Sequence, residues 1–257
     1  MKYWLGIFCL LFACSKPIVQ EISLIPKPQK EHKHLIDYVN PFIGTGGHGH
    51  TYPGASAPFG MIQLSPDSRL EGWDGCGGYH YSDSIIYGFS HTHLSGTGVS
   101  DYGDILLMPT TGELLLNNGA NGSPGYRSKF SHKNEQAKAG FYQVFLEDYN
   151  INVELTVSRR AGFHKYTFPK NKAAQLVLDL EHRDKLLDYK IEIIDSTIPN
   201  IKACFLSIFP VGIGLRQVLV MSLSRSASYH MLSVPAAPAP MATKKILINE
   251  SNKEIVT

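Results

Sequence analysis

The chain has 257 residues, of which 43% are hydrophobic and 18% charged, so it is long enough to bury a sizeable core, and disorder along its whole length is excluded. Its 24 basic and 22 acidic residues leave a formal charge of +2 and are scattered, which excludes the concentrated basic face that a nucleic acid partner requires. Glycine (23), proline (15) and an aromatic content of 11% favour many short strands joined by turns over a helical bundle.

Residues 1–14 read as an export signal: Lys2, then the apolar run Tyr3-Trp-Leu-Gly-Ile-Phe-Cys-Leu-Leu-Phe, then Ala13-Cys14. The run falls short of the roughly 20 apolar residues that a permanent span needs. Leu11-Phe-Ala-Cys14 resembles a lipobox, in which Cys14 becomes the acylated first residue of a periplasmic or cell-surface lipoprotein anchored to a membrane. An ordinary secretory signal ending at Cys14 is the alternative. Residues 15–34 are polar and proline-bearing and read as a tether. Once Cys9 leaves with the signal and Cys14 is acylated, Cys76 and Cys204 remain, so no disulfide framework organises the fold.

From Leu35 onward, Gly, Pro, Asp and Asn clusters punctuate apolar stretches: Ile85–Phe89, Asp104–Met108, Phe141–Leu146, Ile151–Val157, Phe163–Phe168, Leu176–Leu180 and Tyr189–Ile194. Ile151, Val153, Leu155 and Val157 alternate with Asn152, Glu154, Thr156 and Ser158, the pattern of an antiparallel strand with one wet side. Tyr142, Val144 and Leu146 repeat it. The fold class expected is all-β, a two-sheet antiparallel β-sandwich over residues 35–197. After Thr197 the character changes. Between Ile198 and Met241 the charged residues are Lys202, Arg216 and Arg225, alternation is lost, and prolines cluster from Val234. Residues 198–257 are therefore expected to form an irregular tail outside the preceding fold, such as a reading-frame shift would leave. Pro210 and Arg216 interrupt its most apolar run before a membrane span is reached.

Most of the chemistry lies between Asp37 and Pro109. Tyr38-Val-Asn-Pro-Phe-Ile-Gly-Thr-Gly-Gly-His-Gly-His50 carries more Gly and His than packing needs, and such loops let backbone approach a ligand closely. Gly72-Trp-Asp-Gly-Cys-Gly-Gly-Tyr-His-Tyr81 and Phe89-Ser-His-Thr-His-Leu-Ser-Gly-Thr-Gly98 follow. Trp73 beside Asp74, ringed by glycines, suits a sugar: a flat apolar face for the C–H side of the ring and a carboxylate for its hydroxyls. A core tryptophan is the plainer alternative. His48-Gly-His50 and His91-Thr-His93 each put two imidazoles on one side if extended, a spacing also used by metal sites, although Leu94-Ser-Gly-Thr-Gly98 follows where such a site prefers a carboxylate. Asp74, Asp101 and Asp104 lie close in sequence, but Ser100-Asp-Tyr-Gly-Asp is ordinary turn chemistry and none is assigned catalysis. Gly96-Thr-Gly98 lacks the context of a nucleotide fingerprint. Glu181-His-Arg-Asp184 reads as a strand end or an ion-paired turn.

These motifs, in register from Asp37 to Asp179-Leu-Glu-His-Arg-Asp184, resemble glycoside hydrolase family 92, the calcium-dependent, inverting, exo-acting α-mannosidases of Bacteroidetes. The resemblance implies an N-terminal β-sandwich, followed in the family by an (α/α) six-hairpin barrel, with substrate where the two meet. It implies that Trp73, Asp74, Cys76, His48, His50, His91 and His93 line the sandwich side of a pocket for the terminal mannose of an N-glycan or mannan. Inverting hydrolysis needs an acid and a base carboxyl roughly 6.5–9.5 Å apart. The family draws that pair and its calcium ligands from the barrel, so this chain is expected to hold no catalytic residue, no metal site and no cofactor of its own. The expected function is the N-terminal fragment of an α-mannosidase, inactive alone. The alternative is a free-standing carbohydrate-binding lipoprotein that holds mannose-containing glycans without cleaving them.

Overall fold

The computed structural model describes residues 34–170 and 172–183, then Leu186 and the backbone of the strands that follow. The leader, Cys14 and the tether up to Lys33 lie outside the described residues. Near Leu35, where order is expected to begin, a 3-10 turn spans Leu35–Tyr38.

Among the described residues two large sheets form, and every named ladder is antiparallel. The first orders β1 (Ala55–Ser56), β2 (Gln63–Asp67), β4 (Gly88–Ser90), β5 (Leu106–Thr110), β11 (Gln175–Asp179), β16 (Lys245–Asn249) and β17 (Ile255–Val256). The second orders β12 (Lys185–Asp195), β13 (Asn200–Ile208), β14 (Gly214–Leu223), β15 (Ser228–Ser233), β10 (Ala161–Thr167), β9 (Ile151–Val157), β8 (Phe141–Leu146) and β7 (Glu135–Lys138). A small ribbon pairs β3 (Ile85–Ile86) with β6 (Ser128–Lys129).

Alternation in the second sheet follows from a single buried face. Tyr142, Val144, Leu146, Ile151, Val153 and Leu155 are fully buried, while their alternating neighbours are half-buried or exposed. They meet Leu64, Phe89, Leu107 and Leu178 of the first sheet in one apolar cluster. The sheets close tightly at Gly162 of β10, where an added Cβ would lie 2.8 Å from Leu64 Cδ1.

β4, β5 and β11 are buried on both faces, which explains why Leu106-Leu-Met and Leu176-Val-Leu are continuously apolar. Register puts Phe89 opposite Leu107 and Leu107 opposite Leu178, the interior face. Asp67, Ser90, Leu106 and Asp179 therefore point the other way, under the loops that carry the glycine-rich motifs. Tyr126, from the connection between β5 and β6, donates to Asp179 Oδ2 at 2.6 Å.

The tail differs from expectation. Its backbone runs as β13 to β17, with β15 pairing β10 and β16 pairing β11. Stretches such as Asn200-Ile-Lys-Ala-Cys-Phe-Leu-Ser-Ile and Gly214-Leu-Arg-Gln-Val-Leu-Val-Met are rich in β-formers, and that propensity favours strands even without polar alternation. No helix among the described residues is long and apolar enough to cross a membrane.

Candidate functional site

Three loops meet over the polar face of the first sheet. In residues 44–51 the amide of Thr51 closes on the Gly44 carbonyl at 3.2 Å. Gly49 crosses so near that carbonyl that a Cβ would be 2.0 Å from its oxygen, so only glycine fits. His48 is thrown out at the tip, and His50, held at φ 55°, turns inward. A second loop carries the 3-10 turn Trp73–Gly75. The third, residues 94–100, is tied to the first by Gly96 N–H donating to His50 O at 2.7 Å.

Trp73 is 64% exposed, so it is no core tryptophan. One part of its ring lies against Gly98 (φ +70°), where a Cβ would come within 2.7 Å of Cη2. His50 meets it edge-on, centroids 5.0 Å apart at 81°. Asp74 Oδ1 accepts from His48 Nδ1 at 2.6 Å and stands 3.6 Å from His50 Nε2. The His48 hydrogen bond, opposed by partial desolvation, leaves the Asp74 carboxyl below its usual range. His50 Nε2 is buried without a hydrogen-bond partner. Together these groups offer an open aromatic face beside an ionised acceptor.

Of the seven residues expected to line the site, the structure brings together Trp73, Asp74, His48 and His50. The other three are buried. Cys76 is a free thiol behind the turn. His91 and His93 do not share a side, because β4 ends at Ser90 and the chain bends through Thr92. His91 enters the interior, with Nδ1 at 2.5 Å from Ile105 O and Nε2 at 2.7 Å from His164 Nε2. His93 enters the polar layer, where Nδ1 meets Gln63 O at 2.8 Å and Nε2 meets Ser90 Oγ at 2.9 Å. The expectation that both imidazoles line a pocket wall is corrected accordingly. Asp101 Oδ1 accepts from the amide of Tyr102, and Asp104 Oδ2 accepts from the Thr92 hydroxyl, whose oxygen accepts from the Asp104 amide, so both serve local turn chemistry.

Two residues not singled out from the sequence organise the layer beneath. Asp67 is fully buried, accepts a short hydrogen bond from Ser90, and has His93, His182 and Arg183 at 3.5 Å. Burial alone would raise its carboxyl, but His93 and His182 outweigh burial and hold it far below the usual range. Arg183 donates to Ser100 Oγ at 2.6 Å and Arg69 O at 2.8 Å. The charge-dense Glu181-His-Arg-Asp184 was the one visible signal. Among the described residues no group of three or more His, Cys, Asp or Glu side chains is arranged to hold a metal ion.

The model of the glycosyl hydrolase family 92 N-terminal domain matches residues 38–199. A family GH92 alpha-mannosidase of Bacteroides thetaiotaomicron, solved with mannoimidazole, is 31% identical with a TM-score of 0.69, covering 84% of this chain and 32% of that one. Coverage of 84% of 257 residues exceeds the 199 that precede Asn200, so the likeness reaches into the strands after the family match. A family GH92 inverting mannosidase from strain VPI-5482 of the same species shares the fold at 21% identity and a TM-score of 0.58, covering 84% of this chain and 31% of its own. An uncharacterized secreted glycosidase of Arthroderma benhamiae is 31% identical over 149 residues, 54% of this chain and 18% of its own. The chain thus spans about a third of the solved relatives' length. By the family match and these likenesses, the chain belongs to glycosyl hydrolase family 92 and carries that family's N-terminal β-sandwich domain.

Proposed function

We propose that this chain supplies the sandwich side of the terminal-mannose site of an exo-acting α-mannosidase, with Trp73 as the sugar platform and Asp74 as acceptor for sugar hydroxyls. The observation that carries the reading is the exposed indole held edge-on by His50 beside a carboxylate that His48 keeps ionised. A sugar ring stacked on Trp73 would place hydroxyls at its rim, within reach of Asp74. The likeness to a mannosidase solved with mannoimidazole supports mannose as the sugar. The acid and base carboxyls of inverting hydrolysis, and the calcium ligands, are assigned to residues outside this chain.

The leader supports export, as does the secreted relative. Leu11-Phe-Ala-Cys14 further supports acylation of Cys14 and a lipoprotein in the periplasm or at the cell surface.

Calorimetric titration of the purified chain with methyl α-mannoside tests the reading. Saturable heat that Trp73→Ala abolishes is expected, and no heat from the folded wild-type chain would overturn the assignment. Release of mannose from α-1,2-mannobiose with calcium present would overturn the placement of the catalytic pair elsewhere.

A further inference from the structure

Arg183 reaches the loop that carries Trp73 and Asp74 from the far end of β11, more than a hundred residues along the chain. Its side chain is 4% exposed and sits above Asp67, which is wholly buried, with 3.5 Å between Nη2 and Oδ1. Nη2 also donates to Arg69 O at 2.8 Å. Nη1 donates to Ser100 Oγ at 2.6 Å and, at 3.4 Å, to Gly75 O. Arg69 and Gly75 bracket the segment that presents the indole and the carboxylate. Ser100 stands two residues beyond Gly98, on which the indole rests. One planar guanidinium therefore fixes both ends of the Trp73 loop and the loop it packs against, and it refers all three to β2 through Asp67.

We propose that Arg183 is a positioning residue: its fork sets the distance between the residue 69–75 loop and the residue 98–100 loop, and so holds Trp73 and Asp74 in the geometry the sugar meets. The functional consequence rests on the mannose reading above, whereas the positioning itself does not. Lysine cannot replace it, because a single ammonium cannot span two carbonyls and a hydroxyl in fixed directions. Asp67 supplies the countercharge that makes a buried guanidinium tolerable at this point.

The test uses fluorescence excited in the indole band, because Trp4 and Trp73 are the two tryptophans of the chain and Trp4→Phe leaves residue 73 as the sole tryptophan. In that background Arg183→Lys and Arg183→Met are expected to raise the amplitude of fast, nanosecond anisotropy decay of the indole and its quenching by acrylamide. The thermal transition should stay cooperative. Ser100→Ala removes one arm only and should move the same readouts less, with the fold intact. Methyl α-mannoside affinity should fall in the same order. Unchanged anisotropy and quenching in a cooperatively folded Arg183→Lys or Ser100→Ala would overturn the proposal, even if either variant melts at a lower temperature. If the wild-type chain binds no mannoside while the indole is released as expected, the mannose reading fails and the positioning role stands.

Discussion

His91 and His164 meet Nε2 to Nε2 at 2.7 Å between the two sheets, and their outer partners fix where the protons lie. Ile105 offers a carbonyl, which only accepts, so His91 Nδ1 donates to it and leaves Nε2 as an acceptor. His164 fills that acceptor with its Nε2 proton and takes the Tyr166 hydroxyl on Nδ1 at 2.8 Å. The chain of three hydrogen bonds is complete only while both rings are neutral.

Stability should therefore fall in mild acid. Burial pushes His91 from 6.5 down to about 4, and burial followed by its neighbour's charge pushes His164 well below 6.5. Once the pH drops under 6.5, the unfolded chain takes up protons that the folded pair refuses, so stability declines until the folded values are reached. Denaturant midpoints between pH 7 and 4 should drop steadily in the wild-type chain, and less in a His91→Phe/His164→Phe double variant. Asp67 acts in a different window. Its folded carboxyl lies below the ordinary 3.8, so its contribution is present above that value and disappears only at lower pH. Equal slopes for wild type and double variant between pH 7 and 4 would contradict the assignment.

Glu135 concentrates a second buried network. Tyr79 donates to both its oxygens at 3.0 Å, Tyr142 donates at 2.6 Å, and His132 Nδ1 lies at 2.6 Å. Burial first, and then the Glu135 charge, raises the phenols of Tyr79 and Tyr142. Tyr142→Phe removes one donor from an acceptor that keeps others and should cost about 1 kcal/mol. Glu135→Leu strands two buried hydroxyls and should cost several times as much, at roughly 1–3 kcal/mol for each orphaned group. Urea titrations at pH 7 measure both, and a smaller loss for Glu135→Leu than for Tyr142→Phe would refute the network.

The gap between the sheets is set by Gly162. Its φ is not in the left-handed region, so an alanine there meets only crowding: Leu64 Cδ1 at 2.8 Å and Ile62 Cγ2 at 3.1 Å. Gly162→Ala should destabilise by roughly 1–3 kcal/mol through overpacking, and Leu64→Val in the same chain should recover part of that loss. Additive losses in the double variant would show that the two side chains do not compete for the space.

What the sequence disclosed follows from locality. Alternation across Ile151–Val157 depends on the strand alone, and Ile151, Val153 and Leu155 are buried as the period requires. Trp73 and Asp74 stood out because glycines surround them within a few positions. The polar interior was hidden for the opposite reason. His164 and His91 are 73 residues apart, and Arg183 and Asp67 are 116 apart. A histidine in Phe163-His-Lys-Tyr-Thr-Phe looks like the wet side of a strand until a partner from the other sheet is known. The tail misled because Asn200–Ile208 and Gly214–Leu223, though rich in β-formers, lack the polar alternation on which an assignment from one sequence depends.

Asp74 should set the acid limit of sugar binding, and His48 should set where that limit falls. Because the His48 hydrogen bond draws the Asp74 carboxyl below 3.8, the acceptor stays ionised through mild acid. Mannoside affinity carried by Asp74 should accordingly persist at pH 5 and fade only near or below the ordinary carboxylate range, provided the chain remains folded. His48→Ala removes the largest cause of the shift, so the acid limb should move up toward 3.8 while affinity at pH 7 falls modestly. Asp74→Asn should remove the limb and weaken binding, because a charge-assisted hydrogen bond becomes a neutral one. Trp73→Ala should weaken binding at every pH without moving the limb, because stacking does not titrate. Titrations from pH 7 to 3 on the four proteins separate these behaviours, and a His48→Ala profile superimposed on the wild type would show that the 2.6 Å contact does not govern the carboxylate.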